Sequence, residues 1–138
     1  MTDDPQPRHL DYDGRLFRSV APETSYGSDG PTGHYHQLRD LVWAEFAGGK
    51  VRIGRLVGQC SPDGTLSAGY VQVLTDGRTI SGDVISSPTV LADGRIRLRE
   101  RWHRSDGTSG VSWIEELTSR QEGNGARNAE TYRTSHGG

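Results

Sequence analysis

The chain has 138 residues, a formal net charge of −2 at pH 7 and only 31% hydrophobic residues. This length fits one domain with one core, and the low apolar fraction argues against a helical bundle and suits a single-sheet barrel, in which every second strand residue faces water. The small net charge gives no general attraction to nucleic acid or to an anionic membrane, so neither is expected as a partner.

The chain carries one cysteine and no obvious targeting segment. Cys60 is the only cysteine, which excludes a disulfide within the chain and fits a reducing compartment. Residues 1–8 contain acids and two prolines but no apolar run, so we expect no signal peptide. No apolar stretch approaches the roughly 20 residues of a membrane helix. These features predict a cytoplasmic protein.

Both ends of the sequence have the composition of flexible tails. Asp and Pro dominate the first residues, and the last twenty contain almost nothing apolar while several glycines loosen the backbone. We therefore predict tails at 1–11 and 119–138 around a single β-barrel domain at 12–118.

Regular turn signals divide this central region into short segments. Glycine takes positive φ at no steric cost, and aspartate tolerates the same conformation, so Asp-Gly and Gly-Gly pairs mark turns. Such pairs stand at 13–14, 48–49, 63–64, 76–77, 93–94 and 106–107. The segments between them predict strands at 15–20, 33–38, 41–46, 51–59, 65–74, 79–86, 89–92, 95–104 and 111–117, with a bulge or break at Pro88.

Eight or nine strands in sequential order close naturally into an antiparallel up-and-down barrel, which also removes exposed sheet edges. We therefore predict an all-β fold with one such barrel. A β-sandwich is the structural alternative.

The second and third predicted strands bring two histidines near a carboxylate. His34 and His36 lie on one side of a strand, a spacing that metal sites use. A tight turn at Arg39-Asp40 places His34 opposite Glu45. Histidines close together in a glycine-rich region are more often solvated, and no cysteine or further histidine supports a site. We therefore predict no metal.

Trp43 and Glu45 share one face of the third strand, and Arg55 lies on the fourth. The Gly48-Gly49 turn leaves open whether the faces of these two strands agree. If they agree and point inward, Arg55 can hold a ligand oxyanion or neutralise Glu45, and Trp43 contributes to an aromatic lining. Core packing accounts for Trp43 equally well.

The fifth strand offers two inward polar candidates, Tyr70 and Gln72. A three-residue loop at 75–77 sets Gln72 opposite Ile80 and Tyr70 opposite Gly82, where the missing side chain leaves room for the ring. A tyrosine packed in the core, with its hydroxyl on a backbone carbonyl, is the alternative.

The seventh strand has the clearest alternation of the sequence. Four arginines between 95 and 101 share one face, which must be in water. The opposite face therefore points inward, and it carries Ile96, Leu98, Glu100 and Trp102.

The eighth strand repeats the pattern, with Trp113 and Glu115 on one face. If the hairpin sets Trp102 opposite Trp113, then Glu100 lies opposite Glu115. Two carboxylates about 5 Å apart cannot both ionise cheaply, so one pKa rises toward neutrality. A register shift of one residue turns Glu115 to solvent instead, and an inward glutamate can also form a structural ion pair.

Several runs of glycines, turn residues and aromatic residues form one further pattern. The runs are Tyr12-Asp13-Gly14-Arg15 with Phe17-Arg18, Trp43 with Gly48-Gly49, Gly54-Arg55-Leu56-Val57-Gly58, Leu91-Ala92-Asp93-Gly94-Arg95 and Glu100-Arg101-Trp102. They resemble a group of small bacterial proteins that often carry the label N-acetylglutamate synthase and have a calycin-like barrel of the lipocalin or avidin type. The resemblance spans residues 12–117 and implies a barrel with a ligand cavity, but it carries over no catalytic residue. The synthase label finds no support, because the segment 55–60 reads as strand and cannot form an acyl-CoA loop at a helix N-terminus.

These patterns favour a barrel that binds a small apolar or aromatic organic molecule, with a lean toward a cofactor-free acid–base enzyme of bacterial secondary metabolism, such as a cyclase, isomerase or dehydratase. In that interpretation Glu100 shuttles a proton, Glu115 raises its pKa, and Tyr70 and Gln72 hydrogen-bond a carbonyl. The three tryptophans pack on the substrate, and Glu45 and Arg55 are further ligand contacts. The alternatives are a non-catalytic carrier or sensor with the same lumen site and a barrel filled by its own side chains. A homodimer is compatible with all three.

Overall fold

The computed structural model describes residues 10–20 and 30–117. Within these ranges eight antiparallel strands follow one another around a closed barrel, which β1 completes by pairing with β8. The strands are β1 (Leu16–Val20), β2 (Thr32–Leu38), β3 (Leu41–Gly48), β4 (Val51–Cys60), β5 (Leu66–Leu74), β6 (Thr79–Val90), β7 (Ile96–Arg104) and β8 (Ser109–Glu116). The predicted all-β antiparallel barrel is confirmed.

The ends of the chain were predicted to be tails, and apart from Leu10 and Asp11 those residues lie outside the described ranges. The described part of the chain forms no helix, and so no helix that could span a membrane.

The four Asp-Gly turns after Cys60 use the same three-residue loop. The residue before each loop donates its N–H to the carbonyl of the residue after it, as Leu74 does to Arg78 at 2.8 Å. The glycine, third in the loop, has a φ near +90°, and the aspartate carboxylate accepts the N–H two residues ahead. The loops are 62–64, 75–77, 92–94 and 105–107. A single local motif thus fixes four hairpin registers.

Pro88 does not interrupt the sixth strand. The predicted segments 79–86 and 89–92 form one strand, β6, in which Pro88 pairs with Leu98 of β7. On the other side β5 begins at Leu66, opposite Ser86, so Pro88 lies beyond the end of β5. Its missing N–H therefore costs no ladder bond on that side.

One end of the barrel is closed by a buried tyrosine. Tyr12 is fully buried, and its hydroxyl donates to the Gly64 carbonyl at 2.6 Å. Beside it Glu116, also buried, accepts two bonds from the Arg15 guanidinium at 2.8 and 2.9 Å and one from the Ile96 N–H at 3.1 Å. These contacts tie the segment before β1 to the bottom of the barrel.

The predicted register of the last hairpin is wrong. Glu100 lies opposite Ser112 and Trp102 opposite Gly110, not opposite Glu115 and Trp113. The physical reason is the three-residue loop at 105–107, which is shorter than the predicted connection and changes the pairing by an odd number of residues. Such a change turns every side chain of β8 to the other wall.

The side chains of Trp43, Glu45 and Arg55 lie on the same side of the sheet, and that side is the outer wall of the barrel. Glu45 lies opposite Arg55 and Trp43 opposite Val57, while the alternate residues Ala44 and Leu56 are buried inside. A bulge between Phe46 and Gly48 sets this phase. The inward placement considered for Trp43, Glu45 and Arg55 is therefore wrong.

Candidate functional site

The barrel contains a cavity of about 250 Å³ at the end away from Tyr12. All eight strands contribute residues to its lining. The lining residues are Phe17, Ser19, Pro31, Gly33, Tyr35, Phe46, Val51, Leu56, Tyr70, Gln72, Val84, Glu100, Trp102, Arg104, Ser112 and Ile114.

Apolar and aromatic side chains make up the floor. Phe17 and Tyr35 pack edge to face with ring centroids 5.0 Å apart, and Tyr12 closes the same cluster from below at 6.2 Å from Tyr35. Leu56 and Val84 complete the cluster from the far side of the barrel. Because these side chains are buried, they fill the barrel below the cavity.

Glu100 is the acidic group of the cavity. It faces inward between Leu98 and Trp102, as the alternation of β7 predicted, and its carboxylate accepts a hydrogen bond from the Ser112 hydroxyl at 3.2 Å. Burial raises the pKa of Glu100 to about 7, and the Ser112 bond opposes that rise. The expected direction of the pKa shift is therefore present, but its cause is burial and not a second carboxylate.

Tyr70 and Gln72 line the cavity from β5. Their predicted partners are observed, with Tyr70 opposite Gly82 and Gln72 opposite Ile80. The predicted reason for a glycine at position 82, room for the Tyr70 ring, is wrong. A Cβ at Gly82 would collide with the His103 carbonyl oxygen of β7 instead. The predicted pairing and inward placement of these two side chains are thus observed.

Arg104 is a cavity residue that the sequence interpretation missed. Its guanidinium lies over the Trp102 ring at 4.8 Å and next to Tyr70, where it opposes the rise that burial causes in the tyrosine pKa. Its buried Nε has no hydrogen-bond partner among the described residues. The alternation of β7 could have identified it, because Arg104 lies two residues after the inward-facing Trp102.

Two glycines make room for the aromatic side chains of the cavity. The Trp102 ring covers Gly110 on β8, and the Phe46 ring covers Gly54 on β4, so that a Cβ at either glycine would meet the ring. Trp102 is therefore held against the wall and lines the cavity, as predicted.

The other predicted site residues lie on the outer wall. Glu115 pairs with Arg97 at 3.1 Å and with Arg95 at 3.5 Å, and the Arg97 guanidinium covers the Trp113 ring at 4.9 Å. Trp43, Glu45 and Arg55 also face outward, with Glu45 in contact with His36. None of these five side chains lines the cavity.

Comparison with known proteins gives one match. A family model described as avidin-like protein matches residues 10–117, a range that contains all eight strands of the barrel and the segment that closes its bottom. Searches of curated proteins and of solved structures give no significant match.

Proposed function

The chain belongs to the avidin-like protein family, and on that premise we propose that its barrel binds one small organic molecule in the lumen. The observation that supports this proposal is the cavity, in which polar groups from two strands, β5 and β7, converge above an apolar floor. Glu100, Tyr70, Gln72 and Arg104 supply the polar groups. A concave apolar site with a few convergent polar side chains is the usual form of a small-molecule site.

The lining indicates the chemistry of the ligand. An apolar or aromatic body fits between Phe17, Leu56 and Trp102, and a volume near 250 Å³ limits it to a compact molecule. The Arg104 Nε has no hydrogen-bond partner among the described residues, so it can donate to an acceptor oxygen of the ligand, such as a carbonyl, carboxylate or sulfonate oxygen. Below about pH 7 a protonated Glu100 can donate a further hydrogen bond to the ligand.

Binding can be tested with anilinonaphthalene sulfonate, an aromatic anion whose fluorescence rises in apolar sites. We expect saturable binding of one equivalent to the full chain. Arg104→Gln weakens this binding about tenfold, because a buried charge-assisted hydrogen bond is lost. Arg101→Gln is the matched control, since Arg101 lies on the same strand but is exposed on the outer wall. Equal affinities of the two variants would contradict the proposal.

A second candidate function is a cofactor-free acid–base enzyme, such as a cyclase, isomerase or dehydratase of secondary metabolism. The observation that favours it is a carboxyl group with a pKa of about 7 inside the cavity, because such a group can both accept and return a proton near neutral pH. In this scheme Glu100 removes a proton next to a substrate carbonyl. Tyr70 and Arg104 donate to the carbonyl oxygen as negative charge develops, and Glu100 returns the proton elsewhere on the molecule.

Molecules that co-purify with the protein separate the two candidates. Ligands would be extracted from the wild type and from Glu100→Gln and compared by liquid chromatography and mass spectrometry. An enzyme converts its substrate in the wild type, whereas the variant retains the unconverted compound. A carrier yields the same compound from both proteins. Glu115→Gln, which removes an outer-wall carboxylate, is the control and should match the wild type.

A further inference from the structure

We propose that the outer wall of the barrel carries a second, separate site, which binds one divalent transition-metal ion through His34, His36 and Glu45. From the sequence these histidines were expected to be solvated and to bind no metal. The hairpin brings the three side chains closer together than that expectation assumed. The site lies on the opposite side of the sheet from the lumen, so it is independent of the proposed ligand cavity.

The β2–β3 hairpin builds this cluster. A two-residue turn at Arg39-Asp40 pairs Leu38 with Leu41, and the resulting register sets His34 directly opposite Glu45. His36 follows two residues after His34 and therefore projects from the same wall. Two adjacent strands thus present three side chains with metal-ligating atoms at one point.

The donor atoms are close enough to share an ion. One ligand atom from each of the three side chains lies within 4.8 Å of the other two. His36 Nε2 and Glu45 Oε1 are 2.8 Å apart, and the ring centroids of His34 and His36 are 4.5 Å apart. Zinc bonds of about 2.0–2.2 Å in a tetrahedron need donor separations of about 3.4 Å, so adjustments of roughly an ångström complete the site.

The surroundings restrict the motion of the ligands. The Trp43 indole stacks on the His36 ring with centroids 5.5 Å apart and planes inclined by 22°. The His36 side chain is 26% exposed and that of Glu45 is 36% exposed, so both are partly sheltered while water still reaches the cluster. Ligands that stand on paired strands lose less freedom on binding than ligands on loops.

The ligand set fits a particular class of ion. Two imidazoles and one carboxylate suit Zn²⁺ and its neighbours in the first transition row better than Mg²⁺ or Ca²⁺, which prefer oxygen ligands. Three protein ligands leave at least one coordination position for water or a small ligand. On binding, the ion takes the place of the hydrogen bond between His36 Nε2 and Glu45 Oε1.

One nearby cation opposes the site. Arg55 lies opposite Glu45 on β4, and its Nη1 donates to the Gly54 carbonyl at 2.8 Å. Its positive charge on the same wall lowers the affinity for a cation. Arg55→Gln should therefore strengthen metal binding. If the histidines served only the structure of the hairpin, this substitution would not change the affinity for a metal ion.

The test is calorimetric titration of ZnCl₂ into the full-length, tag-free chain after treatment with a chelator. We expect one equivalent of Zn²⁺ to bind, His36→Gln and Glu45→Gln each to weaken binding at least about tenfold, and Arg55→Gln to strengthen it. His103→Gln is the matched control, because His103 is an exposed histidine on β7, outside the cluster. Glu100→Gln should also leave Zn²⁺ binding unchanged, which separates this site from the lumen.

Two results would overturn the proposal. The first is the absence of saturable binding of one equivalent to the wild type. The second is binding that His36→Gln and Glu45→Gln leave at wild-type strength, which would assign the ion to other residues of the chain.

Discussion

Each end of the barrel has an inward-facing glutamate, and the two differ in what surrounds them. At the closed end Glu116 is buried and accepts three hydrogen bonds, which together reach both of its carboxylate oxygens. At the hollow end Glu100 accepts one hydroxyl bond at 3.2 Å and borders the cavity. A carboxylate whose partners all belong to the fold serves stability, whereas one with unused bonding capacity beside a cavity is available to a ligand.

The largest expected effect is at the closed end. Glu116→Ala removes the partner of Arg15 and leaves the buried Ile96 N–H without an acceptor, which should lower the free energy of unfolding by about 3 kcal/mol. Urea unfolding measures this loss. Glu115→Ala is the control, because its ion pairs with Arg95 and Arg97 lie on the outer wall, where such pairs contribute less than about 1 kcal/mol. A similar loss in both variants would remove the distinction between the two walls.

A smaller effect, opposite in sign, is expected at the hollow end. The pKa of Glu100 is raised from 4.5 to about 7, so the folded state holds this proton more tightly than the unfolded state. The corresponding stability is complete below about pH 4.5 and is lost as the pH rises to about 7. Glu100→Gln should lack this loss and be more stable than the wild type by about 2 kcal/mol at pH 8, since one pKa unit corresponds to about 1.4 kcal/mol and water in the cavity reduces the full value.

Urea unfolding of both proteins at several values between pH 4.5 and pH 8 isolates the contribution of Glu100. The aspartates of the four Asp-Gly turns after Cys60 do not interfere, because their pKa values are lowered from 3.8 and they titrate below this window. A constant difference between wild type and variant across the window would show that Glu100 is not desolvated.

The sequence was sufficient for the inward wall of β7, because four arginines alternate with apolar residues and leave only one plausible orientation. It was also sufficient for β5 and β6, because a three-residue loop at Asp76-Gly77 fixes their register. The same loop at Asp106-Gly107 would have set Glu100 opposite Ser112, as the structure does. The information for β8 was therefore present in the sequence, and the predicted pairing of Trp102 with Trp113 was wrong because it needs a longer loop than 105–107.

Other features could not be obtained from local patterns. The bulge between Phe46 and Gly48 determines that Arg55 lies on the same wall as Glu45, and two adjacent glycines are compatible with either phase. The pairing of Arg15 with Glu116 joins residues at opposite ends of the barrel sequence. Only closure of β1 against β8 brings them together, so the hydrogen-bonded bottom of the barrel depends on the complete topology.

The smallest effects, and the sharpest comparison, come from removing one hydroxyl at each end. Tyr12→Phe deletes a buried bond to the Gly64 carbonyl and should cost about 1 kcal/mol of stability without changing the affinity for anilinonaphthalene sulfonate. Tyr70→Phe deletes a hydroxyl beside Arg104 in the cavity and should weaken sulfonate binding several-fold with little change in stability. Thermal melts and fluorescence titrations of both variants measure the two quantities. If Tyr70→Phe instead lost stability and kept its affinity, the hollow end would be a second structural core, because its polar groups would then bind one another and not a ligand.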